Sequence, residues 1–115
     1  MKLLPKIKVI LSESVFDFLG ELPQGAKNKI IYKIDKVANG HIDMELFKKL
    51  ENTDIWEFRT QFNKTQYRLL AFWDTDIETL IIATHGFIKK TQKTPQKEIN
   101  KAVSFRKEYF EAKNR

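Results

Sequence analysis

Residues 54–88, DIWEFRTQFNKTQYRLLAFWDTDIETLIIATHGFI, decide the fold. Three segments within them, Ile55 to Thr60, Gln66 to Trp73 and Ile77 to Ile88, are rich in aromatic and β-branched side chains and separated by short polar links. That pattern predicts a three-stranded antiparallel meander. If the first link has an even number of residues centred on Asn63-Lys64, Arg59 faces Arg68 directly across the ladder. The same register puts Trp56, Phe58, Leu69 and Ala71 on the opposite face, a consistent core side. Glu57 then shares the arginine face.

Upstream, Ile7 to Leu11 suits a strand, and Ser12 is a good N-cap for a helix running to about Leu22. Its three- and four-residue spacing predicts burial of Val15, Phe16, Leu19 and Leu22. Pro23 and Gly25 break that helix. A second, from Ala26 to Ala38, carries Ala26, Ile30, Ile34 and Val37 on one stripe and stops at Asn39-Gly40. Residues 43–50, DMELFKKL, fit either a helical turn or irregular chain. Downstream, Thr94 as N-cap and Pro95 at the first helical position open a last helix, docked by Ile99, Ala102, Val103 and Phe110. The order is β-α-α-β-β-β-α. It describes an α+β domain, with a small, mainly antiparallel sheet packed on an N-terminal helical hairpin and a C-terminal helix. At 115 residues the chain is expected to form a single domain over 1–115.

Charge is distributed unevenly. Residues 1–80 hold 12 basic and 12 acidic side chains and residues 81–115 hold 9 and 3, so the whole net charge of +6 falls in the last third. A local cationic field points to a polyanionic partner. With no cysteine, disulfides, thiol nucleophiles and Cys-ligated zinc are excluded. The N-terminal segment is interrupted by Pro5, Lys6 and Lys8, and no apolar run approaches the ~18 residues a bilayer span needs, so a soluble, cytoplasmic protein with no membrane contact is expected. Two isolated histidines make no metal site. No cofactor motif is present.

Two groups of residues carry the candidate chemistry. Arg59 and Arg68, opposite each other, form an unfavourable like-charge pair that calls for an anion between them; two solvated arginines in a pair with an odd link is the competing reading. The segment HGFIKKTQKTP, His85 to Pro95, places Lys89, Lys90 and Lys93 with the hydroxyls of Thr91 and Thr94 on the connector into the last helix. Gly86 allows close backbone approach, and the helix N-terminus adds donors, which suits a phosphate. A merely solvated lysine connector stands against that. His41 is expected in a surface loop, and His85 either lines the site or is structural. Phe62 and Phe87 either stack on bases or pack against their neighbours, whereas Tyr67 alternates to the core face.

WEFR (Trp56 to Arg59), YRLLAFW (Tyr67 to Trp73), HGFIKKTQKTP and the following KEINKA (Lys97 to Ala102) resemble the HigB-like, phage-derived branch of the RelE/ParE toxin superfamily. The likeness implies a RelE-like fold and a toxin of a type II toxin–antitoxin system, a metal-independent, ribosome-dependent mRNA interferase needing no cofactor. On that likeness Arg59, Arg68, Lys89, Lys90 and Lys93 are catalytic: the arginines hold the scissile phosphate and the lysines serve as acid and base. Lys48, Lys49, Phe87, Thr91 and Thr94 are the residues expected to contact RNA. The implied partners are a HigA-like helix-turn-helix antitoxin and mRNA in the 30S A site. A ParE-like gyrase inhibitor and a non-catalytic basic nucleic-acid-binding module are the alternatives.

Overall fold

A computed structural model describes residues 6–115. The meander is built on the link Asn63-Lys64. Both residues have positive φ, 48° and 66°, the left-handed pair that a two-residue hairpin turn requires. Strand β3 (Trp56–Phe62) therefore pairs with β4 (Thr65–Trp73) in the even register, and Arg59 lies opposite Arg68. Strand β5 (Leu80–Lys89) pairs antiparallel with β4. It starts later than the apolar run beginning at Ile77, because Asp74 accepts from the amides of Asp76 and Ile77 at 2.8 and 2.9 Å and turns the chain there.

Two further strands complete a five-stranded sheet of order β1-β5-β4-β3-β2. The first, β1 (Lys8–Leu11), is the parallel exception, paired with β5 from Lys8 opposite Leu80 to Leu11 opposite Ala83. The other, β2 (Phe47–Lys49), takes the second half of 43–50; the first half is a helical turn, in which the Leu46 and Phe47 amides donate to the Asp43 carbonyl at 3.1 and 2.9 Å. Three residues are too few to show an alternating pattern. Phe47 holds the strand in place by burying its ring against Trp56 and Phe58, with centroids 4.9 and 4.4 Å away.

Helix α1 (Glu13–Gly20) begins as expected at Ser12, whose hydroxyl accepts from the Val15 amide and donates to the Thr84 carbonyl of β5 at 2.7 Å. Val15 and Leu19 are buried, but Phe16 is 60% exposed. It projects about 100° around the helix from Val15, off the buried stripe. Phe18 packs inward instead, over Gly86: a Cβ at Gly86 would sit 2.3 Å from its ring. Close approach at this glycine thus serves packing by Phe18 and Leu69, not a phosphate. In helix α2 (Gln24–Ala38) the stripe Ala26, Ile30, Ile34 and Val37 is buried throughout.

The helical hairpin covers one face of the sheet and α3 (Gln96–Lys113) the other. On the α3 side Ile55, Leu70, Phe72, Ile82 and Phe87 pack with Ala102. The docking stripe differs from the expected one, since Val103 is 47% exposed while Phe105 and Tyr109 join Phe110 around Phe72. At its far end the helix is latched to Asp74. Tyr109 Oη and Lys113 Nζ donate to this fully buried carboxylate at 2.5 and 2.6 Å. Burial pushes the Asp74 carboxyl up, but these two side chains and the Ile77 and Asp76 amides outweigh it and hold it well below the usual aspartate range. Among the described residues no helix is long and apolar enough to cross a membrane.

Candidate nucleic-acid interface

Alternation along the strands gathers the basic residues on the face shared with α3. Glu57 and Arg59 are two apart on β3, and Arg68 lies opposite Arg59 on β4. From the sheet edge β2 contributes Lys48, paired with Glu57. From the other side β5 contributes Lys89, paired with Gln66 and hence on the Arg68 face. The connector into α3 closes the ring with Lys93 and Thr94. Together Lys48, Glu57, Arg59, Lys89, Lys93 and Thr94 line an open cleft of about 390 Å³, whose walls also include Glu51, Asn52, Gln92 and Gln96.

The arginine pair has its own anion. One oxygen of Glu57, Oε1, lies 3.5 Å from Arg59 Nε and 3.6 Å from Arg68 Nε. Neither contact has hydrogen-bond geometry, so both buried Nε groups rely on the charge of Glu57 rather than on a formed hydrogen bond. Two unit charges 4 Å apart interact by about 4 kcal/mol at an effective dielectric near 20, so one carboxylate between two guanidinium groups offsets much of their mutual repulsion. The other oxygen, Oε2, accepts from the Thr94 hydroxyl at 2.8 Å. The Nη1 of Arg68 donates to the Tyr67 carbonyl at 3.0 Å and to Gln66, and that of Arg59 to the Met44 carbonyl at 3.3 Å. With Arg68 only 4% exposed, the pair is not two solvated arginines. Burial lowers the Arg68 pKa, Glu57 opposing and Arg59 adding to the effect, yet a guanidinium stays charged in any such setting. Burial also lowers the Lys89 pKa; Glu57 counters this while Arg68, Arg59 and Lys48 reinforce it.

A second cleft, of about 250 Å³, opens on the α2 side of the pair and is lined by Lys33, Glu45, Arg59, Gln66 and Arg68 among others. Arg59 borders both clefts. Lys33 was not singled out from the sequence. Its signal is the spacing of Lys29, Lys33 and Lys36, four and three apart on one face of α2. Burial lowers the Lys33 pKa, and Lys29 and Lys36 add to that.

Several sequence expectations lie elsewhere. Phe87 is 9% exposed and packs under α3 beside His85, so it offers no face for a base. Phe62 packs on Gly25 and the hairpin core. Lys90 is exposed just past the end of β5 and lines neither cleft. Lys49, one residue from Lys48, alternates to the other side of β2 and borders grooves with Trp56. The Thr91 hydroxyl donates to the Lys93 carbonyl at 2.7 Å and shapes the connector itself. Thr94 does not cap α3: Pro95 holds that position without a side-chain bond, and the Thr94 hydroxyl goes to Glu57. The first turn of α3 carries the buried Glu98, which occupies the favourable end of the helix dipole from within. Glu98 Oε1 meets His85 Nε2 at 3.1 Å, while His85 Nδ1 meets Thr84 Oγ1 at 2.9 Å. His85 is structural. His41 is exposed.

A mixed five-stranded sheet with a helical hairpin on one face and a terminal helix on the other is a RelE-like fold. The free-state structure of an arginine double mutant of the E. coli toxin RelE superposes with a TM-score of 0.61 at 13% identity, over 87% of this chain and 97% of that one. RelE of the archaeal RelE–RelB complex from Pyrococcus horikoshii gives 0.56 at 18% identity, over 78% and 100%. The intact E. coli RelBE toxin–antitoxin complex gives 0.54 at 12% identity, over 77% and 100%. Residues 17–107 match the model of the phage-derived protein Gp49-like family (DUF891), and the chain belongs to that family. No curated protein matches the sequence.

Proposed function

We propose that this protein is the toxin of a type II toxin–antitoxin pair and acts as a metal-independent endoribonuclease on mRNA in the ribosomal A site. The observation that carries the reading is the arginine pair set between two clefts: Arg59 lines both, Arg68 lines the one on the α2 side, and the larger holds Lys48, Lys93 and Lys89, a lysine with a lowered pKa. RNA brings its own nucleophile. A base takes the proton of a 2′-OH, the 2′-oxygen bonds to the adjacent phosphorus, and the bond from phosphorus to the 5′-oxygen breaks. An acid gives a proton to that leaving oxygen, so the products are a 2′,3′-cyclic phosphate and a 5′-OH. The protein supplies only proton transfer and charge stabilisation.

In this scheme Arg59 and Arg68 hold the scissile phosphate and offset charge as it builds. Lys89 is the favoured base, because its lowered pKa makes the neutral amine more available near neutral pH. Lys93, which lines the same cleft, is then the acid. Lys48 and Thr94 border the path of the RNA backbone, and Lys33 extends it toward α2. Lys90 stands outside the cleft and is left without a catalytic role.

The partner that fits is a small antitoxin. Two of the similar structures are of RelE with its antitoxin RelB. The resemblance of the sequence to HigB-like proteins favours a HigA-like helix-turn-helix antitoxin encoded next to this chain. Primer extension on mRNA from induced cells tests the nuclease. Discrete cuts that depend on translation are expected. Intact mRNA with accumulating double-strand DNA breaks would replace the reading with gyrase inhibition. RNA binding without cleavage, weakened only modestly by Arg68→Ala, would reduce the protein to a basic binding module.

A further inference from the structure

A buried carboxylate at the floor of an anion site works against the ligand the site takes. Glu57 is such a group. Only 2% exposed, it is fixed in mid-strand between Lys48 on β2 and Leu70 on β4. Its two oxygens do separate things: Oε1 stands between the Nε edges of Arg59 and Arg68, and Oε2 receives the Thr94 hydroxyl. A guanidinium drawn in by its Nε edge keeps its far end for another anion. Here each Nη1 is given to a backbone carbonyl, so the two groups drawn in by the same oxygen keep their Nη2 donors for that anion, although their charges repel. Thr94 follows Lys93 directly, so its bond to Glu57 also sets where that lysine stands relative to the arginines.

We propose that Glu57 is a positioning residue of the cleft, whose single carboxylate aligns the two arginines and fastens the lysine connector to them through Thr94. The inference rests on reading the cleft as the site of mRNA cleavage, which it deepens. A phosphate entering the cleft meets donors already oriented by an internal anion. Reorientation at the moment of reaction is avoided, and weaker ground-state binding is the cost.

Glu57→Gln tests this, because it keeps the side-chain shape and an oxygen for Thr94 while removing the charge. In single-turnover cleavage of ribosome-bound mRNA by the full chain, the variant should lose about tenfold or more in rate with KM unchanged or lowered. Its pH–rate profile should keep the climb of the wild type, moved to lower pH because Glu57 no longer raises the Lys89 pKa. A rate within twofold of wild type would overturn the proposal. So would loss of the acidic limb, which would make Glu57 the general base instead. Affinity for an uncleavable, 2′-deoxy-substituted oligonucleotide should rise in the variant. The salt slope should steepen by about 0.7 if one more phosphate is engaged.

Thr94→Val removes only the hydroxyl and leaves every charge in place, so it serves even if the Gln variant folds poorly. A severalfold loss of rate at unchanged salt slope is expected, and an unchanged rate would overturn the connector half of the proposal. Should the wild-type chain leave mRNA intact, the nuclease reading fails by itself. Oligonucleotide affinity then decides the role of Glu57 alone: tighter binding by Glu57→Gln supports it, and equal binding overturns it.

Discussion

Arg59 and Arg68 are the same residue type on paired strands, yet their variants should behave differently. Arg68 is buried with Glu57, so Arg68→Ala leaves that carboxylate short of a partner and should cost about 1–3 kcal/mol in urea unfolding. Arg59 has a side chain one-third exposed, and Arg59→Ala should cost less than about 1 kcal/mol. Both remove a donor to the phosphate. Arg59→Ala is therefore the cleaner probe, with an expected loss of about 10²–10³ in cleavage rate while the melting curve stays near wild type. Lys89→Arg keeps the charge but cannot deprotonate, so a base at this position predicts a loss of about 10²–10⁴. In the wild type the neutral amine fraction grows as pH rises toward the lowered pKa of Lys89, so the rate should climb with pH below that value. Lys89→Arg should abolish that climb, and a variant that keeps it would move the base elsewhere. At this scale the arginine pairing was legible from the sequence because register follows from link length. The burial of Phe87 was not, because strand alternation assigns a face without saying what covers it.

Among the elements, the hairpin was the most legible and β2 the least. Asn63-Lys64 carries the turn although lysine gains nothing from a left-handed φ of 66°. Lys64→Gly should relieve that strain and raise stability by about 0.5–1 kcal/mol without moving the register, as read by urea unfolding and unchanged cross-strand amide contacts in NMR spectra. A loss of stability would mean that the Lys64 side chain contributes more than its backbone costs. In contrast β2 is held by one ring, Phe47, rather than by any pattern of its own. In α3 the helix and its start near Pro95 could be read from Thr94-Pro95. Its docking face could not, since an 18-residue helix with Phe105, Tyr109 and Phe110 near one another offers more than one apolar stripe. The α1 stripe failed at Phe16 for a related reason: an eight-residue helix has too few turns to separate Phe16 from Phe18 by spacing alone.

Over the whole molecule, the cationic last third is less uniform than the charge count implies. Of its basic residues, Lys89 and Lys93 line the cleft, whereas Lys101 pairs with Glu98, Arg106 with Asp54, and Lys113 with Asp74 and Asp76. The Lys101 pair lies within α3, and those of Arg106 and Lys113 fasten the helix to the sheet end. The helix is thus tied at its start through Glu98 to His85 and at its end through Tyr109 and Lys113 to Asp74. Because Asp74 has a depressed folded pKa, its contribution to stability is complete above the ordinary aspartate value of ~3.9 and is lost as pH falls through the folded value. Tyr109→Phe removes one of the bonds that depress it. At pH 7 the variant should be less stable by about 1–3 kcal/mol in urea unfolding. The two stability curves should then converge in acid, once Asp74 is protonated in both folded proteins. A deficit of constant size from pH 7 down through that range would place the role of Tyr109 in ring packing against Phe72 instead, and would detach the latch from Asp74.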